Sequence, residues 1–256
     1  METSSFLHGT NLSSSFGAVA AEYEAARPTY PDALFDAIEE LSGRGLAGAR
    51  VLDVGAGTGI STRLLRDRGA DVVAVEPTPG MAAQLRVGAP DIPLVRADGN
   101  ALPFADGSAD LVTYAQSFHW TTPAKSVPEA MRVLRPGGAL ALFWNVKDRT
   151  RGWPQQQEQR MIAVCPQYHG YGGVNESVPS MEDHGLRVGK AVLQWSRSIT
   201  VDQAVADLGS RSYLAVLEPG YRAEVLAAER VALLEVFPEG VVVEDYDLDL
   251  TVGVRP

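Results

Sequence analysis

Residues Val51 to Gly59 read VLDVGAGTG, and this stretch decides the fold. Val51, Leu52 and Val54 form a short apolar run suited to a strand buried on both faces. It ends in three glycines spaced G-x-G-x-G, a turn whose backbone can approach a ligand because no Cβ intervenes. Downstream, Ile60, Leu64 and Leu65 share one helical face, and the helix is expected to end near Gly69. The unit is therefore strand, glycine turn, helix.

Two cofactor classes use this device. The dinucleotide fingerprint G-x-G-x-x-G would place its third glycine at position 60, which is Ile60, so Gly59 comes one residue early for a nicotinamide enzyme. Asp53, two residues before the first glycine, is expected to be buried and therefore to have hydrogen-bond partners, either the N–H groups of the glycine loop or a ligand ammonium. The nine residues resemble the first motif of class I S-adenosylmethionine-dependent methyltransferases. The likeness implies an α/β, Rossmann-like seven-stranded sheet with helical lid elements, and a glycine turn facing the amino acid moiety of S-adenosylmethionine.

Composition narrows the function classes. The chain has 256 residues, enough for one domain with an elaboration and a sizeable core. A net charge of −10 without a basic cluster argues against nucleic acid as partner. The single cysteine, Cys165, rules out an intrachain disulfide, and no apolar run approaches the roughly 18 residues of a membrane span. The opening METSSFLHGTNLSSS lacks a basic region followed by an apolar one, so a cytoplasmic protein with no membrane partner, monomeric or homodimeric, is expected.

Taken in order, residues 1–15 read as a loose polar terminus, and Phe16 to Tyr30 as a helix-prone segment up to Pro28, carrying Tyr23 and Arg27. Its aromatics suit packing on the domain. Its Y-x-x-x-RP-x-YP pattern also resembles the segment that folds over the cofactor pocket in small-molecule methyltransferases, which implies that Arg27 pairs with the cofactor carboxylate. Leu34, Phe35, Ile38 and Leu41 recur at helical spacing. DVVAVE, residues 71–76, is a second strand closing on Glu76 some twenty residues after the glycines, where an acid can take both ribose hydroxyls or cap the next helix. Met81 then offers a soft wall to adenine. A third strand over Ile92 to Ala97 leads to ADGNALPF, similar to another family segment, with Asp98 placed to accept from an adenine amino group or to cap a turn.

A fourth strand, Leu111 to Gln116, runs into Ser117, Phe118, His119 and Trp120. QSFHW resembles the methyltransferases of small organic acids and secondary metabolites, including the trans-aconitate type. RPGG followed by a fifth strand, Ala139 to Asn145, is another feature of that family. The likeness covers roughly the first 150 residues. Beyond them a helix is expected through Gln155 to Val164, then a Gly- and aromatic-rich loop, a sixth strand over Val192 to Ile199, helices over Val201 to Leu217 and Gly220 to Phe237, and an antiparallel strand over Asp245 to Val254 with one wet face.

The resemblance implies one methyltransferase domain over 1–256, with a lid segment (1–30), a cofactor-binding core (31–145) and substrate-cap elements (146–190 and 200–240). Its cofactor pocket would comprise Tyr23 and Arg27; Asp53, Gly55, Ala56, Gly57 and Thr58; Glu76, Pro77 and Met81; Asp98, Gly99, Asn100 and Ala101; and Gln116 and Ser117. Phe118, Trp120, Arg149, Tyr168 and Tyr171 would meet a small-molecule acceptor, an organic acid or secondary metabolite. His119 is the candidate base if a hydroxyl is methylated, and a strand-end structural group otherwise. His169 and His184 read as surface residues, and the absence of CxxC or HExxH implies no metal. Two other classes stay open: a nicotinamide oxidoreductase, and a protein that keeps the cofactor fold without methyl transfer, such as a cyclase.

Overall fold

The computed structural model describes residues 24, 27–147, 152–165 and 177–256. Seven strands form one sheet, β1 (Arg50–Val54), β2 (Asp71–Val75), β3 (Leu94–Val95), β4 (Ala109–Ala115), β5 (Leu134–Val146), β6 (Arg187–Thr200) and β7 (Val241–Val254), in spatial order β3-β2-β1-β4-β5-β7-β6. β1 to β5 are parallel, and β7 runs antiparallel between β5 and β6. Val51 pairs with Val72 and with Leu111, so the carboxyl ends of the central strands lie together.

Period-two alternation splits the apolar residues between two cores. Val51, Leu111, Ala139, Ala141 and Phe143 face one side, where α1 (Asp32–Ser42) covers them with Leu34, Phe35 and Ile38 and α2 (Ile60–Asp67) adds Leu65. Leu52, Val112, Tyr114, Leu140, Leu142 and Trp144 face the other, under Val127, Ala130 and Val133 of α4 (Pro123–Val133). Gly43, left-handed at φ 68°, closes α1. α3 (Pro79–Gly88) connects β2 to β3.

Several element boundaries differ from expectation. The third strand shrinks to Leu94–Val95, with proline at 93 before it, while the fifth extends back to Leu134 through the RPGG turn. The helix after the fifth strand, α5, spans Gly152–Val164, and an unforeseen helix, α6, spans Ser177–Asp183. The helix expected over Val201 to Leu217 is interrupted, giving α7 (Val201–Gly209) and α8 (Ser212–Ala215); α9 (Pro219–Val236) follows. Thr200 and Gln203 form the capping box that starts α7. β7 begins at Val241, and only its first half alternates wet and dry, because its second half is covered on both faces. No helix among the described residues is long and apolar enough to cross a membrane.

Candidate functional site

The turn after β1 is tied to the tip of β2, since Gly55 N and Ala56 N both donate to Val75 O, at 2.8 and 3.1 Å. Gly55, Gly57 and Gly59 are all left-handed, with φ of 68°, 59° and 90°. Their reasons differ. A Cβ on Gly55 would lie 2.5 Å from Ser117 Cβ, and one on Gly59 would lie 3.0 Å from Leu85 Cγ, so both make room for the protein itself. Of the three, only Gly57 has no atom of the described residues within 4 Å of a built Cβ.

Glu76, at the carboxyl end of β2, is almost fully buried and accepts from Gly57 N at 2.8 Å and from Thr78 N at 2.7 Å. It fastens the glycine turn and holds the N–H of Thr78, the residue just before α3. Each oxygen keeps a second lone pair for a ligand hydroxyl. Pro77 follows at the rim, and Met81 is buried at the start of α3.

Asp53 is buried with hydrogen-bond partners, as expected, but those partners are not the N–H groups of the glycine loop. Its carboxylate accepts from Thr62 Oγ1 on α2 and Thr113 Oγ1 on β4, both at 2.7 Å, and it has no solvent exposure. Residue parity explains this: Asp53 shares the face of Val51, beneath α2, while the loop N–H of Gly57 goes to Glu76. Burial pushes its pKa up to about 6; the two hydroxyls pull it down, and the charge of Glu76 raises it further. In the glycine turn and the first turn of α2, Thr58 Oγ1 and Ser61 Oγ are buried without a hydrogen-bond partner among the described residues.

On the β3 side, Asp98 Oδ1 accepts from Asn100 N at 2.6 Å, which is the turn-capping arrangement, and Ala101 N donates to Asp98 O at 3.3 Å. Asn100 Oδ1 accepts from Thr122 N at 2.8 Å, joining this loop to the start of α4. Gly99 is packed on Tyr114, whose hydroxyl would sit 2.5 Å from an added Cβ.

At the tip of β4, Gln116 holds φ 53°, the one left-handed non-glycine among the described residues, a strained backbone of the kind that clusters at functional sites. Its amide donates to Tyr30 Oη at 3.4 Å. Ser117 Oγ donates to Val54 O at 2.6 Å and Phe118 is 1% exposed, edge-on to Tyr114 at 5.1 Å. Phe118 is therefore a core side chain and not an acceptor contact, and Ser117 joins β4 to β1. His119 and Trp120, with ring centroids 4.7 Å apart, present surface to solvent. The His119 imidazole is exposed, although the surrounding protein strips part of its water. Desolvation and the nearby Arg27 guanidinium lower its pKa to about 4.

Arg27 packs under the cap, with Nε 3.8 Å from Asp207 Oδ1 on α7. Asp207 in turn pairs with Arg211 at 2.7 Å, and its carboxyl is held well below the usual carboxylate range by the surrounding cations Arg211, Arg27 and Lys147, which outweigh burial. Glu244 on β7 accepts from Lys147 at 2.5 Å, Arg197 at 2.7 Å and Tyr246 Oη at 2.7 Å. This ionic cluster at the carboxyl end of β5 was not anticipated. Its only sequence signal is the alternation of residues 241–246, which puts Glu244 and Tyr246 on one face. His184 is a surface residue, with Nδ1 2.7 Å from Ser180 O. Tyr23, Arg149, Tyr168, His169 and Tyr171 lie outside the described residues.

The residues present fit an adenosyl sulfonium: a cradle at Gly57 that the described residues leave open, and a carboxylate beside it with spare lone pairs. Residues 52–142 match a family model described as a methyltransferase domain. An uncharacterized methyltransferase of Mycobacterium tuberculosis is 37% identical over 204 residues, 79% of each chain. A demethylmenaquinone methyltransferase of Paenarthrobacter aurescens is 40% identical over 163 residues, 63% of this chain and 62% of the relative. Among solved structures, a protein of Anaeromyxobacter dehalogenans ascribed to the type II methyltransferases superposes with a TM-score of 0.67 at 22% identity, over 89% of this chain and 97% of the other.

Proposed function

The chain belongs to the S-adenosylmethionine-dependent methyltransferase family, and from that premise we propose that it methylates an oxygen of a small-molecule acceptor. The observation that carries the reading is Gly57, the one glycine of the turn whose open side meets no atom of the described residues within 4 Å and whose N–H is fixed by Glu76. The demethylmenaquinone methyltransferase likeness supports a small acceptor.

In this reading Gly57, Glu76, Met81 and the 98–101 loop hold S-adenosylmethionine. When bound, it supplies a methyl on a sulfonium: the acceptor oxygen forms the new O–C bond as the C–S bond breaks, and S-adenosylhomocysteine leaves. The protein's share is alignment and exclusion of water. His119, neutral at pH 7, takes the proton when the acceptor is a hydroxyl. Trp120 beside it offers an aromatic wall.

Isothermal titration with S-adenosylmethionine and with NAD, followed by product mass after incubation with candidate acceptors, tests the proposal. Donor binding without NAD binding, and a product heavier by one methyl, are expected. NAD binding, or donor binding without a methylated product from any acceptor, overturns it; the latter leaves a cofactor-fold protein that does other chemistry.

A further inference from the structure

The 98–101 loop, on the nucleoside side of the proposed cofactor site, receives little support from the sheet. β3 ends at Val95 after two residues, and the chain is irregular from there until β4 begins at Ala109. Among the described residues, the backbone–backbone bonds within 98–105 run from Ala101 N to Asp98 O and from Phe104 N to Leu102 O, both between near neighbours. Neither ties the loop to the rest of the protein.

α4 supplies the tie. Glu129 and Arg132 stand one turn apart on it, and both reach the loop backbone. Glu129 Oε2 accepts from Leu102 N at 2.9 Å, while Arg132 donates from Nη2 to Leu102 O and from Nη1 to Phe104 O, each at 2.8 Å. Both polar backbone groups of Leu102 are thus occupied, as a neighbouring strand would occupy them. The two side chains also brace each other: Arg132 Nε donates to Glu129 Oε1 at 2.9 Å and Nη2 to Oε2 at 3.0 Å, and the guanidinium holds the Glu129 carboxyl below its usual pKa range. The main-chain oxygen of Arg132 accepts from Gly107 N at 2.9 Å, so one residue of α4 fixes the loop at three points. The fork of a guanidinium can meet two carbonyls and a carboxylate together, which an ammonium on a flexible stem cannot do in one fixed geometry. Its contact with Asp106, at 2.6 Å, is to an exposed carboxylate and adds little.

We propose that Arg132 and Glu129 are positioning residues for the cofactor, acting through the 98–101 loop rather than by contact. The inference rests on the methyltransferase reading and adds to it a support that lies behind the pocket. A binding loop keeps its geometry only when packing and hydrogen bonds lock the residues that carry it, and here Leu102, 4% exposed, and the Arg132–Glu129 pair provide both.

The test measures S-adenosylhomocysteine affinity by calorimetry and, in the ligand-free full chain, hydrogen exchange of the Leu102 amide by NMR. Arg132→Met and Glu129→Ala should each speed that exchange and weaken S-adenosylhomocysteine at least tenfold. Arg132→Lys, which keeps the charge and loses the fork, should stay within threefold of Arg132→Met. Val127→Ala, on the buried face of the same helix, should lower the melting temperature yet leave S-adenosylhomocysteine affinity within twofold of wild type. Where Arg132→Met does not fold, Arg132→Lys and Glu129→Ala carry the comparison. Wild-type affinity in Glu129→Ala or in Arg132→Lys, or a loss in Val127→Ala as large as theirs, overturns the proposal. Failure of S-adenosylhomocysteine to bind the wild type overturns the methyltransferase reading itself, a result separable from loss of affinity in the variants alone.

Discussion

Replacing Asp53 with Asn should make the protein's stability less dependent on pH, in a calculable direction. The Asp53 carboxyl has no solvent exposure and, among the described residues, two threonine hydroxyls as its hydrogen-bond partners, and burial moves its pKa from 3.8 to about 6. The folded state therefore holds a proton more tightly than the unfolded chain does. Stability from this group is fullest at low pH and declines as pH rises from about 4 to about 6. A shift of about 2 units corresponds to about 3 kcal/mol, of which about 2 kcal/mol falls between pH 4.5 and 7.5. Asn keeps the shape and the threonine contacts but cannot ionise. Urea unfolding of both proteins across that range should show the variant gaining about 2 kcal/mol on the wild type as pH rises, whatever the offset at pH 4.5. A constant difference would refute the argument that an uncompensated carboxylate sits under the glycine turn.

Three further outcomes are expected. Gly55→Ala should cost several kcal/mol, from left-handed strain plus the clash with Ser117, and adding Ser117→Gly should recover the clash alone; Gly57→Ala should cost only the strain, ~1–2 kcal/mol, yet weaken S-adenosylhomocysteine tenfold or more by calorimetry. His119→Ala should lower turnover at least tenfold with little change in cofactor affinity, and because the imidazole titrates near pH 4, wild-type kcat should be flat from pH 6 to 8; an inflection near 6.5 would count against it. Phe118→Ala should cost about 3–5 kcal/mol in urea unfolding, as a core residue does, so a stable variant altered only in acceptor affinity would return Phe118 to the pocket.

The part of the fold carried by local pattern was legible: the strand, glycine turn and helix around Gly55 and the acid at the end of β2 come from short-range periodicity and spacing, while the seven-stranded sheet was expected from the family resemblance and its strand order came only with the structure. What failed were assignments that depend on which way one side chain points. Phe118 follows a strand among polar and aromatic neighbours, and nothing in QSFHW distinguishes inward Phe118 from outward Trp120. Asp53 is placed by parity under α2, which the tight turn of glycines obscures. Arg27 and Asp207 meet across some 180 residues of chain, as do Lys147 and Glu244 across nearly 100, and no local signal marks such pairs.

The position of β7 between β5 and β6 has a consequence for synthesis. β5 is complete at Val146, yet the strand that covers its free side begins at Val241. While a ribosome makes the intervening stretch of about a hundred residues, the nascent core carries an open apolar edge able to pair with another chain, so translation of this protein should depend on chaperone protection late rather than early.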